Sequence, residues 1–118
     1  MPRKPDVAVS AVGHSGSITN GHLDVAFNLT DKYYDASVQL QSQCNYRKIY
    51  DQAAPVRTEQ KLASMTLYAS MQVPVPYLVT CVPLTGERVS SVVLAANVVN
   101  GDSNTSNNVA SWDPITGK

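Results

Sequence analysis

The sequence feature that most constrains the fold is an alternation of apolar residues with small or polar residues in two consecutive segments. In the first segment the apolar positions are Leu23, Val25, Phe27 and Leu29. In the second segment, where serine and glutamine take the opposite parity, they are Ala36, Val38, Leu40 and Cys44. Side chains of a strand point alternately to its two faces, so each segment predicts a strand with one buried and one solvated face.

Weaker patterns predict further strands along the chain. A third alternation sets Met65, Leu67, Ala69 and Met71 against Thr66, Tyr68 and Ser70. The other predicted strands are 7–12, a short edge strand at 47–50, 77–82, 89–99 (where two alanines leave a helix as the alternative) and 109–112. Turns are predicted at 13–16, 20–21, 30–32, 85–86 and 100–104, and residues 52–60, which lack a period, are predicted to form a loop. Short strands separated by turns predict an all-β, antiparallel sandwich or barrel of about seven to eight strands.

Composition and charge exclude several classes of function. The 118 residues include nine basic and nine acidic side chains, so the net charge is zero. Non-specific nucleic-acid binding needs a basic surface, and we therefore expect no nucleic-acid partner. No apolar run of about 18 residues is present, so we expect no membrane insertion.

One domain is expected at 5–112, between linker-like ends at 1–4 and 113–118. Because no apolar stretch follows the charged first residues, we expect any secretory signal to lie outside this chain.

Three segments resemble a known bacterial module family. They are the opening strand from Pro5 to Val9, the 23–29 strand followed by residues 35–38, and the closing hairpin 98–109 with its paired Asn107 and Asn108. They are similar to the cell-adhesion-related domain found in bacteria (CARDB). The resemblance implies an immunoglobulin-like or fibronectin III-like sandwich, an extracellular, cell-surface or periplasmic location, and a role in adhesion, protein interaction or spacing within a larger surface protein.

The two cysteines, Cys44 and Cys81, allow either one disulfide or two buried thiols. Cys44 shares its parity with Val38 and Leu40, and Cys81 shares its parity with Val79. Both are therefore expected to point inward and to lie close together across the core. A bridge between them would resemble the inter-sheet disulfide of immunoglobulin domains.

Few residues suggest catalysis or metal binding, and we expect no enzyme activity and no cofactor. His14 and His22 both lie beside glycine in predicted turn regions, where no third group is expected to orient them as a base. A weak calcium candidate places oxygen-bearing side chains at Asp102, Asn104, Ser106 and Asp113, and its alternative is a polar hairpin turn. Two glycosylation sequons begin at Asn28 and Asn104.

The tyrosines are the remaining candidates for a binding surface. Those that flank the predicted strands are Tyr33, Tyr34, Tyr46 and Tyr50. They either cover the rim of the core with their hydroxyls in water or form a platform for a ligand such as carbohydrate. Trp112 is expected to fill the core. The sequence thus favours a non-catalytic module with neighbouring domains, proteins or carbohydrates as partners, and a small ligand-binding domain or an accessory domain of a secreted enzyme remains the alternative.

Overall fold

The computed structural model describes residues 4–50, 55–69, 73–99, 101 and 108–113. Within these ranges the strands are β1 (Asp6–Gly16), β2 (Leu23–Lys32), β3 (Ala36–Lys48), β4 (Pro55–Leu67), β5 (Val75–Cys81), β6 (Glu87–Val98) and β7 (Val109–Trp112). They form two antiparallel sheets with the strand orders β1-β2-β5 and β4-β3-β6-β7. The predicted all-β antiparallel sandwich is confirmed. The described residues contain no helix that is long and apolar enough to cross a bilayer.

The core lies between the two sheets and is built from alternate residues of their strands. All of the residues predicted to lie inside are buried, namely Leu23, Val25, Phe27, Val38, Leu40, Leu67 and Val79. Each large apolar side chain removed from water stabilises the fold by about 2 kcal/mol. Trp112 is also buried, and its ring lies 4.3 Å from that of His14.

A disulfide joins Cys44 of β3 to Cys81 of β5, with the Cα atoms 5.9 Å apart. Because β3 and β5 belong to different sheets, the bond ties the two layers of the sandwich together. Both cysteines are buried, as their parity predicted.

Several details of the predicted secondary structure were wrong. The predicted turn at 30–32 is the end of β2, which continues to Lys32 and pairs there with β1. The strand predicted by the alternation from Met65 to Met71 ends at Leu67. The loop prediction for 52–60 missed the start of β4 at Pro55, because this edge strand carries charged residues where a core strand carries apolar ones. Residues 47–50 do not form a separate edge strand, since β3 continues to Lys48 and pairs there with β6. The predicted turn at 13–16 is the end of β1, which continues past a bulge between Ala11 and Gly13.

The two lateral sides of the sandwich differ. On one side β1 lies against β7, so the gap between the sheets is closed. On the other side the edges are β4 and β5, and within the described residues β4 pairs only with β3 and β5 only with β2. We call the surface between β4 and β5 the open side.

Candidate functional site

Two recesses lie along the open side. The end recess has a volume of about 430 Å³, with Leu29, Leu67 and Val75 at its floor and Tyr33, Tyr68 and Val73 among its exposed lining residues. The middle recess has a volume of about 250 Å³, and its lining residues include Cys44, Glu59, Lys61, Tyr77 and Val79. Both recesses therefore open between the free edges of the two sheets.

The register with β3 divides β4 into two halves. In the first half Arg57, Glu59 and Lys61 stand opposite the inward-facing Tyr46, Cys44 and Ser42, so charged side chains take inward positions. In the second half the inward positions hold Ala63, Met65 and Leu67. Charged side chains that point inward on an edge strand disfavour the addition of another strand, since pairing would remove them from water. Only the second half of β4 is free of such charges.

Arg57 anchors the first half of β4. Its guanidinium lies over the ring of Tyr46, 3.9 Å from the centroid. Its Nη2 donates to Glu87 Oε1 at 2.9 Å and to the Val82 carbonyl at 3.1 Å, while its Nε donates to Glu87 Oε2 at 3.3 Å. The Arg57 hydrogen bond holds the pKa of Glu87 below its ordinary value and raises the pKa of Arg57. Both side chains are therefore charged at neutral pH.

Tyr46 and Glu87 extend this contact to the connection between β5 and β6. The Val82 N–H donates to the Tyr46 hydroxyl at 3.0 Å, and the Leu84 N–H donates to Glu87 Oε1 at 2.9 Å. Burial raises the pKa of Tyr46 above its usual value of 10.0, so the hydroxyl stays protonated. The first half of β4, the 82–86 connection and the core form one hydrogen-bonded unit.

A tight turn sets the rim of the end recess. Tyr33 has a φ of +76°, and the Tyr34 N–H donates to the Lys32 carbonyl at 3.0 Å. These values describe a γ-turn with positive φ at its central residue, a rare and strained form. Residues in sparsely populated backbone regions cost on the order of 1–3 kcal/mol, and they occur most often at functional sites.

Asp35 connects this turn to the end of β4. Its Oδ1 accepts a hydrogen bond from the Ala69 N–H at 2.9 Å. Ala69 follows Tyr68 and Asp35 lies two residues after Tyr33, so the bond joins the two segments that carry these exposed tyrosines, and both tyrosines line the same recess. This hydrogen bond thus ties the β2–β3 turn to the end of β4 at the rim of the end recess.

Five exposed large apolar side chains line the two recesses. Tyr33 and Val73 border the end recess and are 70% and 71% exposed, while Leu62 and Leu78 border the middle recess and are 67% and 59% exposed. Contiguous exposed apolar surface marks interaction sites more often than single exposed residues do. The open side therefore combines free strand edges with accessible apolar surface.

The outer face of the four-stranded sheet carries an uncharged polar network over β4, β3 and β6. Gln60 donates to Gln43 at 3.0 Å, Thr58 donates to Asn45 at 2.9 Å, and Asn45 donates to Ser91 at 2.8 Å. Cross-strand hydrogen bonds of this kind stabilise strand pairing. They hold β4 in register with β3.

The histidines are not arranged as a catalytic base with a nucleophile in the described part of the chain. The Thr80 hydroxyl donates to Asp24 at 2.6 Å, and His22 lies 3.2 Å from the other oxygen of the same carboxylate. A nucleophilic relay needs the hydroxyl to contact the imidazole instead. His14 lies in β1 against Trp112 and not in the predicted turn.

The structure does not bring the four candidate tyrosines together. Tyr33 and Tyr34 lie in the turn before β3, whereas Tyr50 lies beyond its other end and is fully exposed. The assignment of Tyr46 to a surface was wrong, because its ring is wholly buried and its hydroxyl is held by Val82. Of this set only Tyr33 lines either of the two recesses described above.

The calcium candidate falls mostly outside the described residues, which include Asp113 but not Asp102, Asn104 or Ser106. The sequon at Asn104 lies outside them too, and Asn28 is half-buried on the outer face of the three-stranded sheet. No group of three or more metal-binding side chains occurs in the part of the chain that the structure describes.

Sequence reasoning missed Arg57, Lys61, Leu62 and Tyr68. For Leu62 and Tyr68 a signal existed, since both are apolar at positions whose parity opposes Leu67. For Arg57 no local signal existed, because its partner Glu87 lies 30 residues away along the chain.

No family model matches the chain, and no curated protein matches it. The solution structure of CsgH from R. palustris is similar at 18% identity and a TM-score of 0.52, covering 95% of this chain and 96% of CsgH. The crystal structure of Spo0M, a sporulation control protein from Bacillus subtilis, is 12% identical with a TM-score of 0.47, covering 92% of this chain and 46% of Spo0M. The likeness to CsgH supports the sandwich fold. The resemblance to CARDB stays a prediction.

Proposed function

We propose that this domain is a non-catalytic binding module that takes up an extended segment of another polypeptide at the free edge of β4, along residues 62–67. The observation that carries this proposal is the long edge strand β4, whose described residues pair on one side only and whose second half has no inward charge. Alternate backbone N–H and C=O groups of such a strand point away from the sheet. An added strand satisfies them with its own backbone.

The exposed apolar residues support the same edge. Main-chain hydrogen bonds give affinity to an added strand, and pockets for its alternate side chains give specificity. The end and middle recesses lie beside β4 at two points along its length. The other edge strands offer less, because β7 has four residues and β1 lies against it, while β5 has seven residues and β4 has thirteen.

The disulfide supports a location in an oxidising compartment, outside the cell or in a periplasm, because structural disulfides persist there and are rare in the cytosol. Adhesion and spacing within a larger surface protein are uses that a strand-binding module serves without any chemical step.

Carbohydrate binding is the second candidate function, and the end recess with Tyr33 and Tyr68 favours it. Its volume lies within the range of ligand pockets, roughly 300–1,000 Å³. Titration with neutral oligosaccharides tests it. Shifts of backbone amide resonances that are confined to residues around Tyr33 support carbohydrate binding. Unchanged amide resonances at millimolar sugar reject it.

Peptides selected from a displayed random library against the folded domain test the main proposal. We expect independent peptides to compete with one another and to shift the backbone amide resonances of residues 62–67.

Met65→Lys places an inward charge in the second half of β4 and should weaken peptide binding by about tenfold or more. Thr66→Lys, which adds the same charge on the outer face, is the matched control and should change affinity less than about threefold. Thermal unfolding of both variants checks that they fold. Peptides that shift only residues of β1, β7 or the outer sheet face would contradict the proposal.

A further inference from the structure

The two recesses and the charge between them define what kind of segment fits the edge. Lys61 lines the middle recess and points to the inner side of β4. Glu59 is engaged by Arg57 at 3.5 Å and by the Tyr46 hydroxyl at 3.4 Å, and no described carboxylate lies within ion-pair distance of Lys61. Lys61 is thus the inward charge next to residues 62–67, and unlike Arg57 and Glu59 it has no ion-pair partner among the described residues. It disfavours an added strand that would cover it without a counter-charge, and it favours one that places a carboxylate against it.

The end recess has a different character. Leu67 and Val75 form part of its floor, and Tyr33 and Tyr68 stand exposed at it. Its volume of about 430 Å³ exceeds the 250 Å³ of the middle recess. A large aromatic or aliphatic side chain suits this lining, since buried anchors of this type supply most of the energy of peptide recognition.

The spacing of the two recesses follows from the strand itself. Lys61 and Leu67 are six residues apart on β4 and share its inner face. At about 3.3 Å per residue this separation is about 20 Å. Residues of an added strand that face the recesses must likewise be separated by an even number, because odd separations place one of them on the outer face.

We propose that the partner is an extended segment that carries an acidic residue opposite Lys61 and, six residues away, a bulky apolar residue that enters the end recess beside Tyr33 and Tyr68. This proposal rests on strand addition at β4. The apolar residue supplies most of the affinity, and the acidic residue fixes the register, since an exposed ion pair contributes little energy but disfavours the wrong alignment. Either strand direction satisfies the spacing.

The test uses nine-residue random peptides displayed on phage and selected against the full chain. We expect enrichment of an acidic and a bulky apolar residue at positions i and i+6, in either order. Replacing the acidic residue by its amide should weaken binding by about two- to fivefold, and replacing the apolar residue by alanine by about tenfold or more.

A charge reversal gives the sharper readout. Selection against Lys61→Glu should enrich a basic residue in place of the acidic one. Lys48→Glu is the matched control, because it reverses the charge of another exposed lysine away from the middle recess. Lys61 pairs with Ser42 of β3, and Lys48 lies six residues beyond Ser42 on that strand. It should leave the acidic preference unchanged.

The outcomes separate the two proposals. Peptides that bind at residues 62–67 but lack the acidic and apolar pair, or carry it at an odd spacing, contradict the proposed pair at i and i+6. They remain consistent with strand addition at β4. Peptides that leave the amides of β4 unaffected, or a library that yields no binders, contradict both.

Discussion

The guanidinium of Arg57 lies over the ring of Tyr46, 3.9 Å from its centroid, in the first half of the edge strand β4. The same guanidinium bonds Glu87 and the Val82 carbonyl. Arginine is suited to this place because its planar group can stack and bond two partners at once. The contact fixes the first half of β4 and leaves the second half, residues 62–67, as the accessible part of the edge.

Replacing Arg57 by lysine should destabilise the fold. The ammonium keeps the charge but loses the stacking and the forked contact with Glu87, so we expect the free energy of unfolding to fall by about 1–3 kcal/mol. Denaturant unfolding measures the change. Lys61→Ala on the same strand is the control, and as an exposed substitution it should change stability by less than about 0.5 kcal/mol. Equal losses of unfolding free energy in the two variants would show that the Arg57 contact stabilises the fold no more than an exposed side chain does.

Acid should weaken the same contact through Glu87. Its pKa in the folded protein is lowered, chiefly by the hydrogen bond from Arg57, relative to an ordinary value of 4.5. The contribution of the Arg57–Glu87 contact to the free energy of unfolding is therefore fully present above pH 4.5. It is lost as the pH falls through the lower pKa that Glu87 has in the folded protein. Thermal unfolding between pH 6 and pH 3, compared with Glu87→Gln, measures it. We expect a smaller loss of stability on acidification in the variant, and identical slopes would argue against this assignment.

Removing the disulfide should lower the free energy of unfolding by more than removing any single polar contact does. The bond between Cys44 and Cys81 spans 37 residues of sequence. In the chain-entropy model, closing a loop of this length stabilises a protein by about 3–4 kcal/mol. We expect this loss in the double variant Cys44→Ala, Cys81→Ala, measured by urea unfolding. A reducing agent should destabilise the natural protein and leave the double variant unchanged, and a reductant effect on both would be inconsistent with this account.

Gly16 should not tolerate alanine. Its φ is +89°, and an added Cβ would collide with the carbonyl oxygen of His22. The strain of the left-handed backbone alone costs roughly 1–2 kcal/mol, and the collision adds to it. Gly13 is the matched control in the same strand, because a Cβ there meets no atom within 4 Å. Thermal unfolding should show a clear loss for Gly16→Ala and little change for Gly13→Ala, and the reverse order would contradict the geometry.

The core could be predicted from the sequence better than the edge could. Phe27 and Leu40 lie in strands with one face buried, and burial imposes alternation that is visible in the residues themselves. Residues 55–60 of β4 carry Arg57 and Glu59 at inward positions, where an edge strand reaches water and alternation is lost.

The candidate site was harder still to predict. The end recess forms only when the turn at Tyr33 meets the end of β4 near Tyr68, a contact between distant parts of the chain. Tyr46 was misplaced because aromatic residues near strand ends occur both at rims and in cores. Its parity with Cys44, which is buried, was the signal that indicated the core.

Amide hydrogen exchange of β4, with and without a bound selected peptide, tests strand addition most directly. Alternate amides of residues 62–67 point away from β3 and exchange with water in the free domain. The account predicts that binding slows the exchange of these outward amides and leaves those already bonded to β3 unchanged. Unchanged exchange along 62–67 in the saturated complex would contradict it.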